Sequence, residues 1–423
     1  MRVSKFGRKA EVESGIGRLM DDLGATLAKN RDVFMLGGGN PAHIPDIERH
    51  WRRSMTAMLA DGDRLERAFG NYDPQQGNLE FIEAISGLLR RELDWPVGPR
   101  NVVLTNGSQS AFFILFNLFA GDYPDGTKKR ILLPVLPEYI GYRDVGLTDD
   151  LFVANKPRIE HLDERVFKYH IDFDALEITD DIGAVCVSRP TNPTGNVLTD
   201  AELARLSDIA RAGDVPLIVD SAYGMPFPHI VFTEVEPLWN KNTIVCMSLS
   251  KLGLPATRTG IVVAREEIVE KVARLNAVMS LAPGGVGTAL VTELVRSGEI
   301  IRLSRDVIRP FYQAKAEHAL AQVRECFRDV PCHVHKPEGA FFIWLWFPGL
   351  PITNRQLYER VKERNVLVVT GHYFFPGLTE PWRHTDECIR VSYAQDDRTV
   401  AAGLRIIAEE VRRARAEAGC SNA

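Results

Sequence analysis

Lys251 follows an apolar run near the middle of the chain, in the string Ser248-Leu249-Ser250-Lys251, and a turn-forming Gly253 comes shortly after it. A lysine on the surface does not need this position. A lysine that attacks an aldehyde does, because partial desolvation makes its neutral amine available. The short string also occurs by chance, so it predicts a reactive lysine only if suitable partners occur elsewhere in the chain.

Two upstream segments supply such partners. An apolar run that ends at Asp220 has Tyr223 three residues later, and another apolar run is followed by a polar turn that contains Asn192. Because the carboxyl ends of strands lie at one edge of an open α/β sheet, we expect these side chains close to Lys251. A carboxylate for a pyridinium nitrogen, polar groups for a phenolic oxygen and a lysine for an aldehyde carbon together indicate pyridoxal phosphate.

Each of these partners also has an ordinary structural interpretation. Asp220 could be a helix N-cap, the turn at Asn192 could be only a β-turn, and Tyr223 could be a packed aromatic residue with a solvated hydroxyl. The order and spacing of the residues favour a common site over several unrelated coincidences.

A Gly-Ser turn before a helix predicts where the phosphate of such a cofactor would bind. The turn contains Ser108 and Ser110 and leads into a helix expected over 111–120. Backbone N–H groups and the positive end of the helix dipole attract anions at this position, although an ordinary serine cap would give the same pattern. Ser250 and Arg258 could complete the phosphate site, since arginine makes bidentate contacts with anions.

Composition excludes several other classes of protein. The chain has 423 residues, 45% of them hydrophobic and 25% charged, as expected for a globular enzyme of two domains. A net charge of −5 argues against a nucleic-acid surface, and no apolar run approaches the roughly 20 residues of a membrane span. The first nine residues lack the apolar core of a secretory signal, and the six cysteines form no C-x-x-C pair, so we predict reduced thiols and a cytoplasmic location.

No metal site is predicted. The sequence contains no P-loop, and the triple glycine that ends at Gly39 lacks the spacing of a dinucleotide fingerprint. His333 and His335 would lie on one face of a short strand, but no acidic residue or thiol accompanies them. We therefore interpret this histidine pair as surface residues.

Strands alternate with helices between residues 101 and 265. This alternation predicts an α/β fold with a doubly wound, mainly parallel sheet. The predicted strands lie at 131–136, 182–188, 216–220, 243–247 and 260–264, and a clear helix lies at 200–212. Later segments predict a smaller α+β domain, with short strands at 333–345, 366–370 and 389–392 and helices at 354–364 and 399–418.

These motifs together resemble the fold type I pyridoxal-phosphate enzymes of the aspartate aminotransferase superfamily, over nearly the whole chain. The residues that carry the resemblance are Gly39-Asn40-Pro41, Tyr72, Gly77, Gly107-Ser108-Gln109, Pro137-Glu138-Tyr139, Asn192-Pro193-Thr194-Gly195, Asp220, Tyr223, Ser248-Leu249-Ser250-Lys251, Arg258 and Arg390. It implies an N-terminal segment at 1–60 that joins the small domain and covers the site, a large cofactor-binding domain at 61–300 and a small domain at 301–423.

The resemblance implies a role for each matched position. Lys251 would bind the cofactor aldehyde and later move a proton, and Asp220 would pair with the pyridine nitrogen. Asn192 and Tyr223 would contact the phenolic oxygen, and Tyr139 would stack on the ring.

Other matched positions would hold the phosphate and the substrate. The phosphate would contact Ser108, Gln109, Ser248 and Arg258, with the part of Ser250 left open. Tyr72 would reach the phosphate in a neighbouring subunit, which implies a homodimer with shared sites. Arg390 would bind the substrate carboxylate, together with Asn192 and a backbone N–H of Gly39.

Longer strings at 35–41, 105–113, 137–142 and 250–255 narrow the resemblance and imply transamination between valine and pyruvate. Segment 280–285 departs from relatives, so its contribution to a partner's site is left open. Arg18 could bind a dicarboxylate substrate, but its neighbours Ile16, Leu19 and Met20 favour a branched aliphatic side chain.

Two alternatives also stay open. The same scaffold supports other reactions, such as β-elimination at sulfur, and a catalytically silent regulatory module could carry a similar fold.

Overall fold

The computed structural model describes residues 2–9, 17, 21, 24 and 33–421. Arg18 and its apolar neighbours Ile16, Leu19 and Met20 lie outside the described residues.

The strands form two large sheets and one short pair. In chain order they are β1 (Phe34–Met35), β2 (Val102–Asn106), β3 (Gly121–Asp122), β4 (Lys128–Leu133), β5 (Phe152–Ala154), β6 (Arg158–His161), β7 (Val166–His170), β8 (Ile182–Ser188), β9 (Leu217–Asp220), β10 (Thr243–Ser248), β11 (Thr259–Val263), β12 (His333–His335), β13 (Phe342–Trp346), β14 (Val366–Leu367), β15 (Val369–Thr370) and β16 (Cys388–Ser392).

The larger sheet has eight strands in the order β2-β11-β10-β9-β8-β4-β3, with β5 also paired to β4. Strands β4, β5, β8, β9 and β10 pair in parallel, whereas β11 is antiparallel to both β10 and β2. The prediction of an α/β fold with a mainly parallel sheet is therefore confirmed.

The described helices cover this sheet and form much of the C-terminal part of the chain. They are α1 (Lys5–Arg8), α2 (Pro45–Ala60), α3 (Arg64–Gly70), α4 (Leu79–Leu93), α5 (Ser108–Phe119), α6 (Asp200–Ala212), α7 (Glu266–Ser280), α8 (Val286–Ser297), α9 (Glu299–Leu303), α10 (Arg309–Cys326), α11 (Asn354–Glu363) and α12 (Asp397–Ser421), with a π-helical turn (Ser304–Ile308) between α9 and α10. None of the described helices is long and apolar enough to cross a membrane.

A second sheet has six strands in the order β15-β16-β13-β12-β7-β6. Its strands β6 and β7 come from the middle of the chain and join four C-terminal strands, so this sheet links the two predicted domains. The N-terminal strand β1 pairs in parallel with β14. The division at 1–60, 61–300 and 301–423 stays a prediction.

Local sequence explains the elements that support the site. Strand β8 is apolar and buried along nearly its whole length, as expected for a parallel strand covered on both faces. Helix α6 begins with a capping box in which the side chains of Thr199 and Glu202 each bind the other residue's backbone N–H. Helix α5 begins at Ser108, three residues before the predicted start, because the left-handed Gly107 ends the preceding turn.

The interpretation of the histidine pair as surface residues was wrong. His335 is fully buried, and its Nε2 accepts a hydrogen bond from the backbone N–H of Tyr169 at 3.1 Å. Burial lowers the pKa of His335 to about 3, so the ring is neutral. His335 is buried because its strand, β12, lies inside the second sheet, between β13 and β7. No cluster of metal ligands occurs among the described residues.

Candidate active site

The carboxyl ends of β8, β9 and β10 meet at one edge of the larger sheet and form the floor of a cavity of about 230 Å³. Parallel pairing places Ser188 beside Asp220, at the last positions of β8 and β9. The residues predicted from the sequence that line the cavity are Gly39, Ser108, Gln109, Tyr139, Asn192, Asp220, Tyr223, Ser248, Ser250, Lys251, Arg258 and Arg390. Residues far apart in the chain therefore share one site.

Lys251 lies in a short 3-10 turn that follows β10 and ends at Gly253, whose φ of 94° suits a glycine. Its amine donates a hydrogen bond to the carbonyl oxygen of Gly39 at 2.7 Å. The amine also lies 5.3 Å from the ring centroids of Tyr223 and Phe341. The lysine thus reaches into the cavity between a backbone carbonyl and two aromatic rings.

Burial and nearby charges lower the pKa of the amine at this position. Burial, together with the positive charges of Arg390 and Arg258, lowers the pKa of Lys251 to about 8. The charge of Asp220 opposes this effect without cancelling it. The amine is still mainly protonated at pH 7, but its neutral form, which attacks a carbonyl carbon, is far more populated than for a solvated lysine.

Asp220 is buried and held by two hydrogen bonds. The hydroxyl of Tyr142 donates to Oδ2 at 2.7 Å, and the backbone N–H of Ala222 donates to Oδ1 at 3.0 Å. Burial raises the pKa of Asp220 to about 6, while these two bonds and the charge of Lys251 act in the opposite direction. The carboxyl therefore carries its negative charge at neutral pH and faces the cavity.

Arg390, on β16, enters the cavity from the second sheet. Its Nη1 donates to Oδ1 of Asn192 at 2.7 Å and its Nη2 donates to the carbonyl oxygen of Gly37 at 2.6 Å. The guanidinium carbon lies 4.2 Å from the ring centroid of Phe342. Burial lowers the pKa of Arg390 to about 10, so the side chain stays charged at neutral pH.

The guanidinium of Arg390 forms no ion pair with a carboxylate in the described part of the chain. Its Nε is buried and also lacks a hydrogen-bond partner there. A buried charge without an ion-pair partner is unfavourable, and a carboxylate bound in the cavity that Arg390 lines would compensate it. The arrangement thus suits recognition of an amino acid or 2-oxo acid through its carboxylate.

The start of α5 has the geometry expected for the predicted anion site. Gly107 has a φ of 82°, and a Cβ atom there would lie 2.1 Å from Nη2 of Arg258. Only a glycine therefore lets the guanidinium approach the helix N-terminus. Arg258 itself adopts the left-handed region at φ 49°, and the hydroxyl of Ser248 donates to the hydroxyl of Ser250 at 3.0 Å. Backbone N–H groups, two hydroxyls and an arginine thus converge on one point.

Two neighbours of that point have other partners. The Gln109 side-chain amide donates to the carbonyl oxygen of Gly141 at 2.8 Å, and the Ser110 hydroxyl donates to the carbonyl oxygen of Asn106 at 3.0 Å. Gln109 therefore fixes the turn that carries Tyr139. In that turn a Cβ atom on Gly141 would lie 2.3 Å from the ring of Tyr139, so the glycine makes room for the ring.

Tyr72, which was predicted to reach the phosphate in a neighbouring subunit, does not line the cavity. It is 82% exposed, near the start of the loop between α3 and α4. Segment 280–285 lies beside the anion site, because Asn106 donates to the hydroxyl of Ser280 and accepts from the N–H of Gly284 at 3.0 Å. Both features lie at the surface of the single chain.

Three residues that contact the site were not given a role by the sequence analysis. Tyr142 donates a hydrogen bond to Asp220, and Ser188 lies beside Asp220 in the sheet. Glu138 is fully buried and accepts a hydrogen bond from the backbone N–H of Ser188. The available signal was weaker than the one that indicated Asp220, because Glu138 and Tyr142 lie in the segment after β4 and not at the end of the strand itself.

Residues 46–407 match the family model for aminotransferase class I and II. The valine–pyruvate aminotransferase of Escherichia coli is 50% identical over 417 residues, which cover 99% of this chain and 100% of that protein. A crystal structure of valine–pyruvate aminotransferase from Salmonella typhimurium is 49% identical, with a TM-score of 0.88 over 95% of this chain and 100% of that one. An aspartate aminotransferase of Thermus thermophilus, 20% identical, shares the fold with a TM-score of 0.77 over 97% of this chain and 100% of its own. The predicted fold type I architecture is therefore confirmed.

Proposed function

This chain belongs to the aminotransferase class I and II family, and we propose that it transfers the amino group of L-valine to pyruvate with pyridoxal phosphate as cofactor. The products would be 3-methyl-2-oxobutanoate and L-alanine. The observation that carries the proposal is the convergence of Lys251, Asp220 and Arg390 on one cavity, in a chain 50% identical to an enzyme named for these substrates.

The cavity contains a suitable group for each part of the cofactor. Arg258 and the hydroxyls of Ser108 and Ser248 would bind the phosphate. Asp220 would bind the ring nitrogen, where its negative charge favours the protonated form. Bound pyridoxal phosphate would supply an electron sink for the electron pair left when the substrate Cα–H bond breaks.

Three further residues would orient the ring. Asn192 and Tyr223, both buried, would hydrogen-bond the phenolic oxygen, and Tyr139 would stack on a ring face. Burial raises the pKa of Tyr223 well above its ordinary value, so its hydroxyl is a donor across the working pH range.

Lys251 would carry the proton between the substrate and the cofactor. A pKa of about 8 suits this role, because a general base works best when its pKa lies near the operating pH. The carbonyl of Gly39 and the two aromatic rings keep the amine inside the cavity, so the acid–base group is already placed.

Arg390 would bind the carboxylate of both substrates through its guanidinium, which Asn192 holds in place. Lys251 contacts the carbonyl oxygen of Gly39 and not its N–H group. The contact between the Gly39 N–H and the substrate carboxylate stays a prediction.

The charges of the cavity favour a neutral side chain on the substrate. Among the described lining residues the cations are Lys251, Arg258 and Arg390, and each is assigned to the reacting atoms, the phosphate or the α-carboxylate. A second carboxylate would find no free cation within this described lining, whereas an aliphatic side chain needs none. A branched aliphatic side chain is therefore consistent with the cavity.

We further propose a homodimer with shared sites. Large apolar side chains are exposed around α3 and the end of α7, including Phe69 at 62%, Tyr72 at 82%, Val278 at 84% and Leu281 at 64%. These segments contact each other, since Gly285 packs against Ala68 and Asp73. Several large exposed apolar side chains on neighbouring segments are typical of a protein interface, and a second copy would bury them. We place the enzyme in the cytoplasm, because the described cysteines are free thiols.

The test is a substrate-pair screen with purified protein. We expect the highest catalytic efficiency for valine with pyruvate, ping-pong kinetics, and weaker activity with 2-aminobutyrate and leucine, because one methylene changes binding by only about 1–3 kcal/mol. A preference for aspartate or glutamate would contradict the substrate assignment. Release of pyruvate from cystathionine without an acceptor would instead indicate β-elimination.

A further inference from the structure

Glu138 is a buried acid that the proposed reaction does not use. It is fully buried in the turn after β4 and does not line the cavity. Its Oε1 accepts from the backbone N–H of Ser188 at 2.8 Å, and its Oε2 lies at hydrogen-bond distance from the Ser188 hydroxyl and from the N–H of Tyr139. The carboxyl therefore ties the turn that carries Tyr139 to the end of β8.

A continuous polar chain leads from this acid to Asp220. The hydroxyl of Ser188 lies 3.4 Å from the hydroxyl of Tyr142, which donates to Asp220 at 2.7 Å. The surroundings are apolar, because the ring of Tyr142 packs against Phe112 with a centroid distance of 4.9 Å. Glu138 and Asp220 thus share one water-poor pocket below the cavity floor.

Two carboxylates in such a pocket are not both charged. Burial, and secondarily the negative charge of Asp220, raises the pKa of Glu138 to about 8, above that of Asp220 at about 6. No basic side chain forms an ion pair with Glu138 in the described part of the chain. The proton therefore lies on Glu138 and the negative charge on Asp220.

Other titratable groups face this pair. They are Tyr139, Tyr142, Tyr223, Cys186, Cys246 and Lys251. Burial raises the pKa of these tyrosines and thiols, so they are neutral, whereas the amine of Lys251 favours a charged Asp220.

We propose that Glu138 is a positioning residue: as a neutral acid it anchors Ser188 and Tyr142, so that Tyr142 donates to Asp220 and the negative charge stays on Asp220. A neutral Glu138 donates its own O–H to Ser188, which leaves the Ser188 hydrogen free to point at Tyr142. Every hydrogen of the chain then points toward Asp220. An ionised Glu138 would instead take the Ser188 hydrogen and reverse this direction.

The inference rests on the proposed cofactor, so the test measures ligand binding rather than turnover. The probe is pyridoxine 5′-phosphate, an alcohol analogue that cannot react with Lys251. Its dissociation constant is measured on cofactor-free protein between roughly pH 5 and pH 9, where Asp220 titrates. Every variant receives the same probe, so the ionisation of the probe itself cancels in the comparison.

Three site variants and one control separate the possibilities. Tyr142→Phe and Glu138→Ala should move the acidic limb of the binding profile upward by about one pH unit, because Asp220 loses a donor that favours its charge. Glu138→Gln keeps a neutral group of the same shape, with its oxygen accepting from the nearer backbone N–H, that of Ser188, and its NH2 group taking the place of the O–H donor; it should retain the wild-type midpoint. Glu387→Gln removes a buried carboxyl elsewhere and should also leave the midpoint unchanged.

Each contrary outcome has its own meaning. An unchanged midpoint in either Tyr142→Phe or Glu138→Ala would overturn the positioning role. A midpoint that falls in Glu138→Gln would show that Glu138 is ionised in the wild type and would overturn the neutral-acid assignment. If Glu138→Ala does not fold by thermal melting, Ser188→Ala takes its place, because it removes the hydroxyl that links Glu138 to Tyr142 and should raise the midpoint in the same way. A wild-type protein that does not bind the probe would refute the proposed cofactor instead.

Discussion

Replacing Arg390 by lysine tests how the cavity recognises its substrates. Lysine keeps the positive charge but removes the planar fork that contacts Asn192 and Gly37 at 2.7 and 2.6 Å. It also removes the stacking of the guanidinium on the ring of Phe342. A point charge on a flexible stem cannot replace this geometry.

The expected loss of catalytic efficiency follows from the substrate carboxylate, which loses its buried partner. A carboxylate that loses a buried, hydrogen-bonded partner costs roughly 2–4 kcal/mol, which corresponds to about 30- to 900-fold in kcat/KM. The loss should appear for valine and pyruvate alike, because both present the same carboxylate. Affinity for pyridoxal phosphate should change little, since the phosphate site at Arg258 is untouched.

The assay compares steady-state kinetics for each substrate with cofactor affinity. Arg258→Lys is the matched control, because it makes the same chemical change at the anion site and should weaken the cofactor more than the substrates. Unchanged KM values for both substrates in Arg390→Lys would refute the reasoning and assign the carboxylate to another arginine.

Four other experiments test separate parts of the site and the fold. Borohydride treatment with pyridoxal phosphate should label Lys251 and no other lysine, as measured by peptide mapping. The rate at which cofactor-free protein captures pyridoxal phosphate should rise with pH and level off above about pH 8, as the amine loses its proton. Asp220→Asn should lower kcat by at least about 100-fold while binding persists, and a wild-type rate would contradict the charge pairing. Gly107→Ala should raise the dissociation constant of pyridoxal phosphate about tenfold or more. Its Cβ atom would displace the guanidinium of Arg258, and the positive φ of this position is strained for alanine. Equal affinity would exclude the anion site there. Glu338 pairs with buried Lys168, and its pKa lies below the unfolded value of 4.5. The stabilisation that Glu338 contributes is therefore present above pH 4.5 and is lost as the pH falls. Glu338→Gln should flatten this part of a curve of unfolding free energy against pH, and an unchanged curve would count against the pair.

The sequence by itself determined the identity of most cavity residues. Apolar runs that stop at Asp220 and before Lys251 mark buried strands, and the change from apolar to polar marks the edge where a ligand can bind. Gly107 and Ser108 mark the entry to a helix through local backbone preferences alone. These signals are local, because each depends only on how a few neighbouring residues fill one strand or one turn.

Tertiary structure decided what no short segment contains. Asn192 and Arg390 are 198 residues apart and bond only because the second sheet packs against the first. Tyr142 reaches Asp220 across 78 residues, so the role of the turn after β4 became visible only with the strand order. The burial of His335 depends on β7, a strand from the middle of the chain that pairs with C-terminal strands. Pairing between distant strands is chosen by the packing of the whole core, and a local pattern specifies that a strand forms but not which strand lies beside it.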